Sequence, residues 1–403
     1  MNHRMMTACL IASFTGLQNA PLQADPLATL SEALRSGTVN ANFRYRYEFV
    51  DQETFDEDAG ASTLLTRLTY KSGDFFDGFS IGTEADYVAL IGDENYNSTE
   101  NGRTEYPVVA DPEGFDLNQA YLKYKRENFT FTGGRQRIAF GDQRFIGGVA
   151  WRQNEQTFDS LRFEYQPNDQ LKLDYSYIWN VNRIFGPNDG VQPADWHGNS
   201  HLLSADYTLK EGHELRGFAY LLDFENGNGR PNSNNTFGIR YKGKFGPAGL
   251  NATLATQTDS GDNPISYSAD FLSLLGTYKF SPLTLQIGYD VLGSDDGDFA
   301  FRTPLATLHK FQGFADLFLL TPANGIEDLY VGAVGSIGKI KLLARYHDFK
   351  SNEGSIDYGT EFNLVATYPV TKQFTTQLKF ADYSADEFGP DTTRFWLSLI
   401  VKL

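Results

Sequence analysis

The residues of this chain best suited to chemistry are basic, and many recur at every second position. Arg44 and Arg46 are two apart, as are Arg240 and Lys242, while Lys125, Arg162, Arg345 and Arg394 sit in runs that alternate the same way. A spacing of two puts side chains on one face of a strand, where their charges add. Counted by that alternation, roughly eighteen bases share the polar faces with ten acids. Rings of such cations are what an anion-conducting pore uses. The alternative is that they pair with Glu48, Glu84, Asp174 and Asp290 on the same faces and only stiffen a wall.

Other chemistries find less support. None of His197, His201, His213, His309 and His347 sits in a motif joining a nucleophile to a base, so no enzyme is expected. Asp295-Asp296-Gly297-Asp298 resembles the start of a calcium loop but lacks its ligand spacing and closing Glu. No metal and no cofactor are expected.

The elements that must position the bases are strands. Val39, Ala41, Phe43, Tyr45, Tyr47 and Phe49 alternate with Asn40, Asn42, Arg44, Arg46 and Glu48, giving one apolar and one polar face. Eighteen such runs follow one another, among them 38–50, 116–126, 129–138, 157–166, 200–210 and 392–403. Most are 10–14 residues long, the length of a tilted membrane-spanning strand rather than of a soluble sandwich strand of about 5–6. The connections alternate between tight turns, such as Glu127-Asn128 and Ser281-Pro282, and long loops, of which 92–115, 139–156, 183–199 and 294–325 are the largest. An even strand count with short and long connections at opposite ends predicts an all-β, 18-stranded antiparallel transmembrane β-barrel with short periplasmic turns and long extracellular loops. At that strand number an aqueous channel is expected. Leu305, Leu308, Phe311 and Phe314 make 294–325 too apolar for a solvated loop, so it is expected to pack inside and narrow the barrel rather than cap its rim.

One strand carries a conflict. Phe129 and Phe131 share parity with Arg135 and Arg137, and the four cannot all face lipid. A bulge at Gly133-Gly134 is expected to flip the phase and turn both arginines into the lumen.

Composition agrees. The chain has 403 residues, a net charge of −17, one cysteine, and 22 Tyr, 32 Phe and 4 Trp. The acid excess argues against a nucleic-acid partner, and so many aromatics argue against disorder. Residues 1–24 read as a secretory signal peptide, with His3 and Arg4 ahead of an apolar stretch and a cut after Ala24. The barrel then occupies 25–403, led by a short helix over 25–37. The acid excess falls in loops such as 51–58, 93–113 and 295–298, which leaves the strand faces basic.

Two segments carry a family likeness. Gly134-Arg135-Gln136-Arg137, Phe140-Gly141-Asp142-Gln143-Arg144, Trp151-Arg152-Gln153-Asn154 and Thr157-Phe158-Asp159 form the first; the second runs Phe301-Arg302-Thr303-Pro304-Leu305 to Phe311, with Gly313-Phe314-Ala315-Asp316 and Asp328-Leu329-Tyr330 behind it. With these motifs the chain resembles the alginate-export family of bacterial outer-membrane barrels. The resemblance implies a monomeric 18-stranded barrel with an arginine-rich lumen. Carried onto matching positions, it makes Arg135, Arg137, Asp142, Arg144, Arg152, Asp159 and Arg162 the candidates for a constriction. The reading that follows is an outer-membrane, porin-like channel for passive passage of anionic or sugar-like solutes. The alternative is a secretion conduit for an acidic exopolysaccharide such as alginate. Expected partners are outer-membrane lipid, lipopolysaccharide, the barrel-assembly machinery and the solute itself.

Overall fold

The computed structural model describes residues 26–403, so the signal-peptide reading of 1–24 lies outside the described residues. The chain begins with α1 (Pro26–Arg35) and continues almost wholly as strand. The strands are β1 (Thr38–Gln52), β2 (Ala59–Lys71), β3 (Phe79–Leu90), β4 (Gly114–Arg126), β5 (Phe129–Gln136), β6 (Thr157–Tyr165), β7 (Leu171–Asn182), β8 (Asp195–Lys210), β9 (His213–Leu222), β10 (Asn234–Phe245), β11 (Ala248–Asp259), β12 (Ser268–Phe280) and β13 (Leu283–Leu292). A two-residue ribbon, β14 (Ser294–Asp295) with β15 (Phe299–Ala300), opens the longest loop. Five strands follow: β16 (Ile326–Ile337), β17 (Ile340–Lys350), β18 (Asp357–Pro369), β19 (Phe374–Ala385) and β20 (Thr392–Lys402).

All but the ribbon form one 18-stranded sheet in which each strand pairs antiparallel with its sequence neighbours. β20 closes it on β1, with Tyr45 opposite Leu399 and Phe49 opposite Phe395. Closure leaves no unpaired edge for another chain to template on. The inside-outside rule of soluble proteins is inverted. On β16, Leu329 is 49% exposed between Asp328 at 1% and Tyr330 at 8%, so the apolar face of the strand looks out and the polar face looks in, as lipid and a wet interior require. α1 docks at the short-turn end, where Gly73 donates to the Ala33 carbonyl at 2.9 Å and the Tyr70 hydroxyl to that of Leu34 at 2.6 Å.

Two local expectations are corrected. β5 has no bulge at Gly133-Gly134: its ladders to β4 and β6 run unbroken, with Arg135 opposite Ala120 on one side and Asp159 on the other. The irregularities fall on strands nearby, where Asn118 of β4 and Trp179 of β7, one strand beyond β6, drop out of the pairing. β8 also starts at Asp195 rather than 200, because a break opposite Trp179 changes its phase and hides its first turn from a period-of-two reading.

Candidate functional site

The interior is occupied by two inward loops, 137–156 after β5 and 296–325 before β16. They are stitched to each other before they meet the wall. Gly147 donates to the Leu305 carbonyl at 2.8 Å and Thr307 to that of Gln143 at 3.0 Å, while the Gln156 amide reaches Leu305 at 3.0 Å. Their apolar residues, Ile138, Phe140, Ile146, Leu305, Phe314 and Phe318, join inward side chains of the strands, including Phe218, Phe271, Phe349 and Trp396, in one buried cluster. Each large side chain so buried contributes roughly 1.5–3 kcal/mol, which offsets an ordering cost of about 1–2 kcal/mol per residue. This placement is what the apolar spacing of 305, 308, 311 and 314 foreshadowed. The segment holds a single 3-10 turn, Leu308–Lys310.

Ion pairs then tie the loops to the wall. Arg152 reaches Glu48 of β1 at 2.9 Å and Asp316 at 3.5 Å; Arg394 of β20 reaches the other oxygen of Glu48 at 3.2 Å. Arg46 pairs with Asp111 of the 91–113 loop at 3.2 Å and donates to the Trp151 carbonyl. Burial would push the Asp111 carboxyl up, but Arg46, Arg152 and the Gln153 N–H hold it below its ordinary range. Arg67 of β2 binds Asp86 at 2.8 Å and Glu155, and Arg137 bridges Glu84 and Glu155. Arg144 donates to Gln312 at 2.6 Å, lies 3.4 Å from Asp290 and covers the Phe311 ring at 4.4 Å. Arg162 holds Asp174 at 3.1 Å.

At the centre, His309 lies between two rings, Trp151 at 3.5 Å between centroids and Phe314 at 5.0 Å. Burial, with the Lys379 and Arg152 charges nearby, lowers its pKa to about 3 although Asp316 acts against it. The neutral imidazole therefore donates from Nδ1 to Asp316 (2.8 Å) and accepts from Lys379 at Nε2. The Asp316 carboxyl is pushed up by burial but held down, to about 2, by His309, Arg394 and Arg152. Lys379 has no carboxylate within ion-pair distance among the described residues; the rings of Phe314 (4.3 Å), Trp396 (4.9 Å) and Trp151 (5.1 Å) surround its ammonium.

The sequence-derived candidates thus divide. Arg46, Arg137, Arg144, Arg152, Arg162 and Arg394 are inside but neutralised by carboxylates. Arg44 is inside and bonded only to neutral groups, Gln153 at 2.8 Å and the Ala150 carbonyl at 2.9 Å. Arg240 pairs with Asp142 at 3.2 Å beside Lys242 and Lys310, in a cavity of about 360 Å3. Lys125 and Arg345 are on inward parity, and neither forms an ion pair among the described residues. Arg135 and Asp159 are not brought to the lumen. They bind each other at 2.8 Å on the outward parity of Phe131 and Leu161, at the long-loop rim. Arg137 does reach the lumen, because β5 stops at Gln136 and the chain turns inward, not because the strand changes phase. Asp111, Glu155, Asp316, Trp151 and His309 were missed as site residues. They lie on loops, where no periodicity says which way a side chain points.

Openings remain on both sides of the Trp151–His309 stack. Below it, a cavity of about 60 Å3 is lined by Arg44, Arg46, Trp151, Lys379 and Trp396. Above it, a cavity of about 360 Å3 opens among the long loops, with Trp151 and His309 in its floor. Trp151 lines both.

A family model described as alginate export matches residues 35–297. No curated protein sequence matches the chain. Among solved structures, Acinetobacter baumannii OccAB4 is 16% identical with a TM-score of 0.70, covering 91% of this chain and 98% of its own. The Pseudomonas aeruginosa outer-membrane protein OpdK is 13% identical with a TM-score of 0.71, covering 92% and 99%; its structure with vanillate gives 12% and 0.70 over the same shares. These likenesses show the same overall fold across nearly the whole of each chain.

Proposed function

Because this chain belongs to the alginate-export family of outer-membrane barrels, we propose that it is a porin-like channel of the Gram-negative outer membrane, passing small anionic or sugar-like solutes passively. The observation that carries the solute class is the set of inward cations that form no ion pair among the described residues. Arg44 and Lys379 face the small cavity under Trp151, and Lys242 and Lys310 face the larger one beside Arg240, where Asp142, Asp206 and Glu214 offset part of the charge. A solute meeting several spaced, partly offset charges is attracted at each and trapped at none, which passage requires. The stitched loops act as the constriction. We further take residues 1–24 as the export signal, the barrel as a monomer surrounded by lipid and lipopolysaccharide after delivery by the assembly machinery, and the protein as a channel without catalytic activity.

The family description favours a second reading, export of an acidic polysaccharide. A polymer needs a continuous bore, and here the Gly147–Leu305 and Thr307–Gln143 links would have to open together. Reversal potentials in planar bilayers under a salt gradient test the first reading: anion preference is expected, and cation preference overturns it. Uronate oligomers driven across the same bilayer test the second, which needs transient, voltage-shortened blockades rather than permanent block.

A further inference from the structure

Tyr70 links α1 to the face of the barrel that meets lipid. On β2, Arg67 and Thr69 point inward and bond to Asp86 and Glu84 of β3, so Leu68 and Tyr70 between and after them point outward. The Tyr70 hydroxyl nevertheless ends on protein, donating to the Leu34 carbonyl at 2.6 Å. Beside it the Gly73 N–H donates to the Ala33 carbonyl at 2.9 Å. Gly37 lets the chain pass from α1 into β1 against the Tyr70 ring, where a Cβ would lie only 2.5 Å from it. The last turn of α1 is therefore held by an outward-pointing side chain, on the lipid side of the wall.

That face carries an aromatic girdle at the same level. Tyr124, Tyr165, Tyr207, Phe245, Tyr278 and Tyr368 stand on outward parity within three residues of the short-turn ends of β4, β6, β8, β10, β12 and β18, and all but Tyr124 are exposed. Tyr70, next to last in β2, belongs to the same series. Such rings sit at headgroup level, and short turns face the periplasm, so the level is that of the inner leaflet. On α1, Leu27, Leu30 and Leu34 share one side of the helix. Ala33 is buried, yet Leu27 is 75% and Leu34 43% exposed, while Glu32 and Arg35 are exposed on another side. Such a helix fits three surroundings at once: protein at Ala33, water at Glu32 and Arg35, and an apolar medium at the leucines. The headgroup layer is where all three meet.

We infer that α1 is an interfacial anchor whose partner is the phospholipid surface of the inner leaflet. Leu27 and Leu34 enter the acyl boundary and continue the lipid-facing band of Leu68 and Tyr70 past the end of the strands. The anchor is independent of which solute the lumen passes. It pins the start of β1, and with it the seam between β1 and β20, to the membrane plane.

The test uses the full chain carrying Cys9→Ser, which leaves it without cysteine, and adds Leu27→Cys, Leu34→Cys or Glu32→Cys singly. Each variant is refolded, checked by heat-modifiable migration, labelled with an environment-sensitive fluorophore and placed in vesicles of phosphatidylethanolamine and phosphatidylglycerol. Lipid bromines about 5–10 Å below the headgroup boundary are expected to quench the labels at 27 and 34 about twofold or more beyond the label at 32. Aqueous iodide should give the reverse order. Iodide reaching 27 and 34 as freely as 32 overturns the anchor. Shielding of 27 and 34 from both quenchers overturns it as well, because the leucines then face protein. The Leu27→Asp, Leu34→Asp double variant should keep its single-channel conductance but expose 26–36 to protease in vesicles, where the parent chain is protected; equal cleavage of the two overturns the role of the leucines.

Discussion

The region of the inward loops and the region toward the short turns use positive charge differently. Around the inward loops, Arg46, Arg67, Arg137, Arg144, Arg152 and Arg394 each bind a carboxylate, and most of those carboxylates are nearly fully buried. Toward the short turns, Arg162, Lys172 and Arg216 are paired as well, but the inward parity also carries Lys125, Lys242 and Lys341, exposed and without ion pairs among the described residues. Guanidinium is planar and forked, so one Arg152 can hold a strand carboxylate and a loop carboxylate at once; an ammonium on a flexible stem cannot fix such geometry but keeps its field. Arginine therefore builds the obstruction, and lysine together with the few unpaired arginines supplies the field. A count of bases against acids treats them as one population and overstates how basic the lumen is.

The largest expected effect comes from removing the obstruction itself. Deleting 299–320 withdraws Leu305, Phe314 and His309 from the cluster and releases 137–156, so single-channel conductance should rise sharply. Unchanged conductance would sink the constriction. Next comes one carboxylate that serves two arginines: Glu48→Ala leaves Arg152 and Arg394 buried without it. Breaking a buried pair costs about 3–5 kcal/mol, so the temperature of heat-modified migration should fall and the open channel become noisy. Lys242→Ala, in the other region, should alter neither. If both variants melt alike, the division between the regions is wrong.

Acid should act on the packed region first. His309 has a pKa of about 3 in the fold against an ordinary 6.5, so below about pH 6.5 the released loop takes up a proton that the docked loop refuses. Docking is then at full strength above pH 6.5 and weakens steadily as pH falls toward 3. Asp316, held at about 2 from 3.8, adds a loss only below about pH 3.8. Loop-dependent current noise should thus grow between pH 7 and pH 4.5, and His309→Gln should flatten that dependence. Reversing the field rather than the ties is a smaller change: Lys125→Glu with Lys242→Glu should lower anion preference without changing the melting temperature.

The wall was legible and its filling was not. A period of two is set by the backbone, so Arg44, Arg240, Lys242, Arg345 and Arg394 could be placed inward from the alternation on β1, β10, β17 and β20. The alternation of short and long connections gave closure and parity. Loops obey no such period. The family motifs pointed to Arg144 and Arg152, but nothing in their spacing said that Asp290, Glu48 and Asp316 would neutralise them. His309 was visible only as a histidine without a motif; its role comes from Trp151, Phe314 and Lys379, distant in sequence and brought together by the two loops.

Arg135 is the sharpest case, because its chemistry and its parity disagree. A charged residue sharing parity with Phe129 and Phe131 invites a bulge, yet β5 stays regular, and the charge is accommodated by Asp159 directly opposite and by the Leu117 carbonyl at 3.1 Å. This is workable only at the rim, where headgroups and water replace acyl chains and the cost of a charge on the lipid face falls to about 0–1 kcal/mol. Arg135→Ala should therefore change stability by less than about 1 kcal/mol and leave the reversal potential where it was, whereas Arg137→Ala, which leaves Glu84 and Glu155 with Arg67 alone, should do neither so gently. A selectivity change from Arg135→Ala would mean that its side chain reaches the lumen after all, and that the outward pair with Asp159 is not the state that conducts.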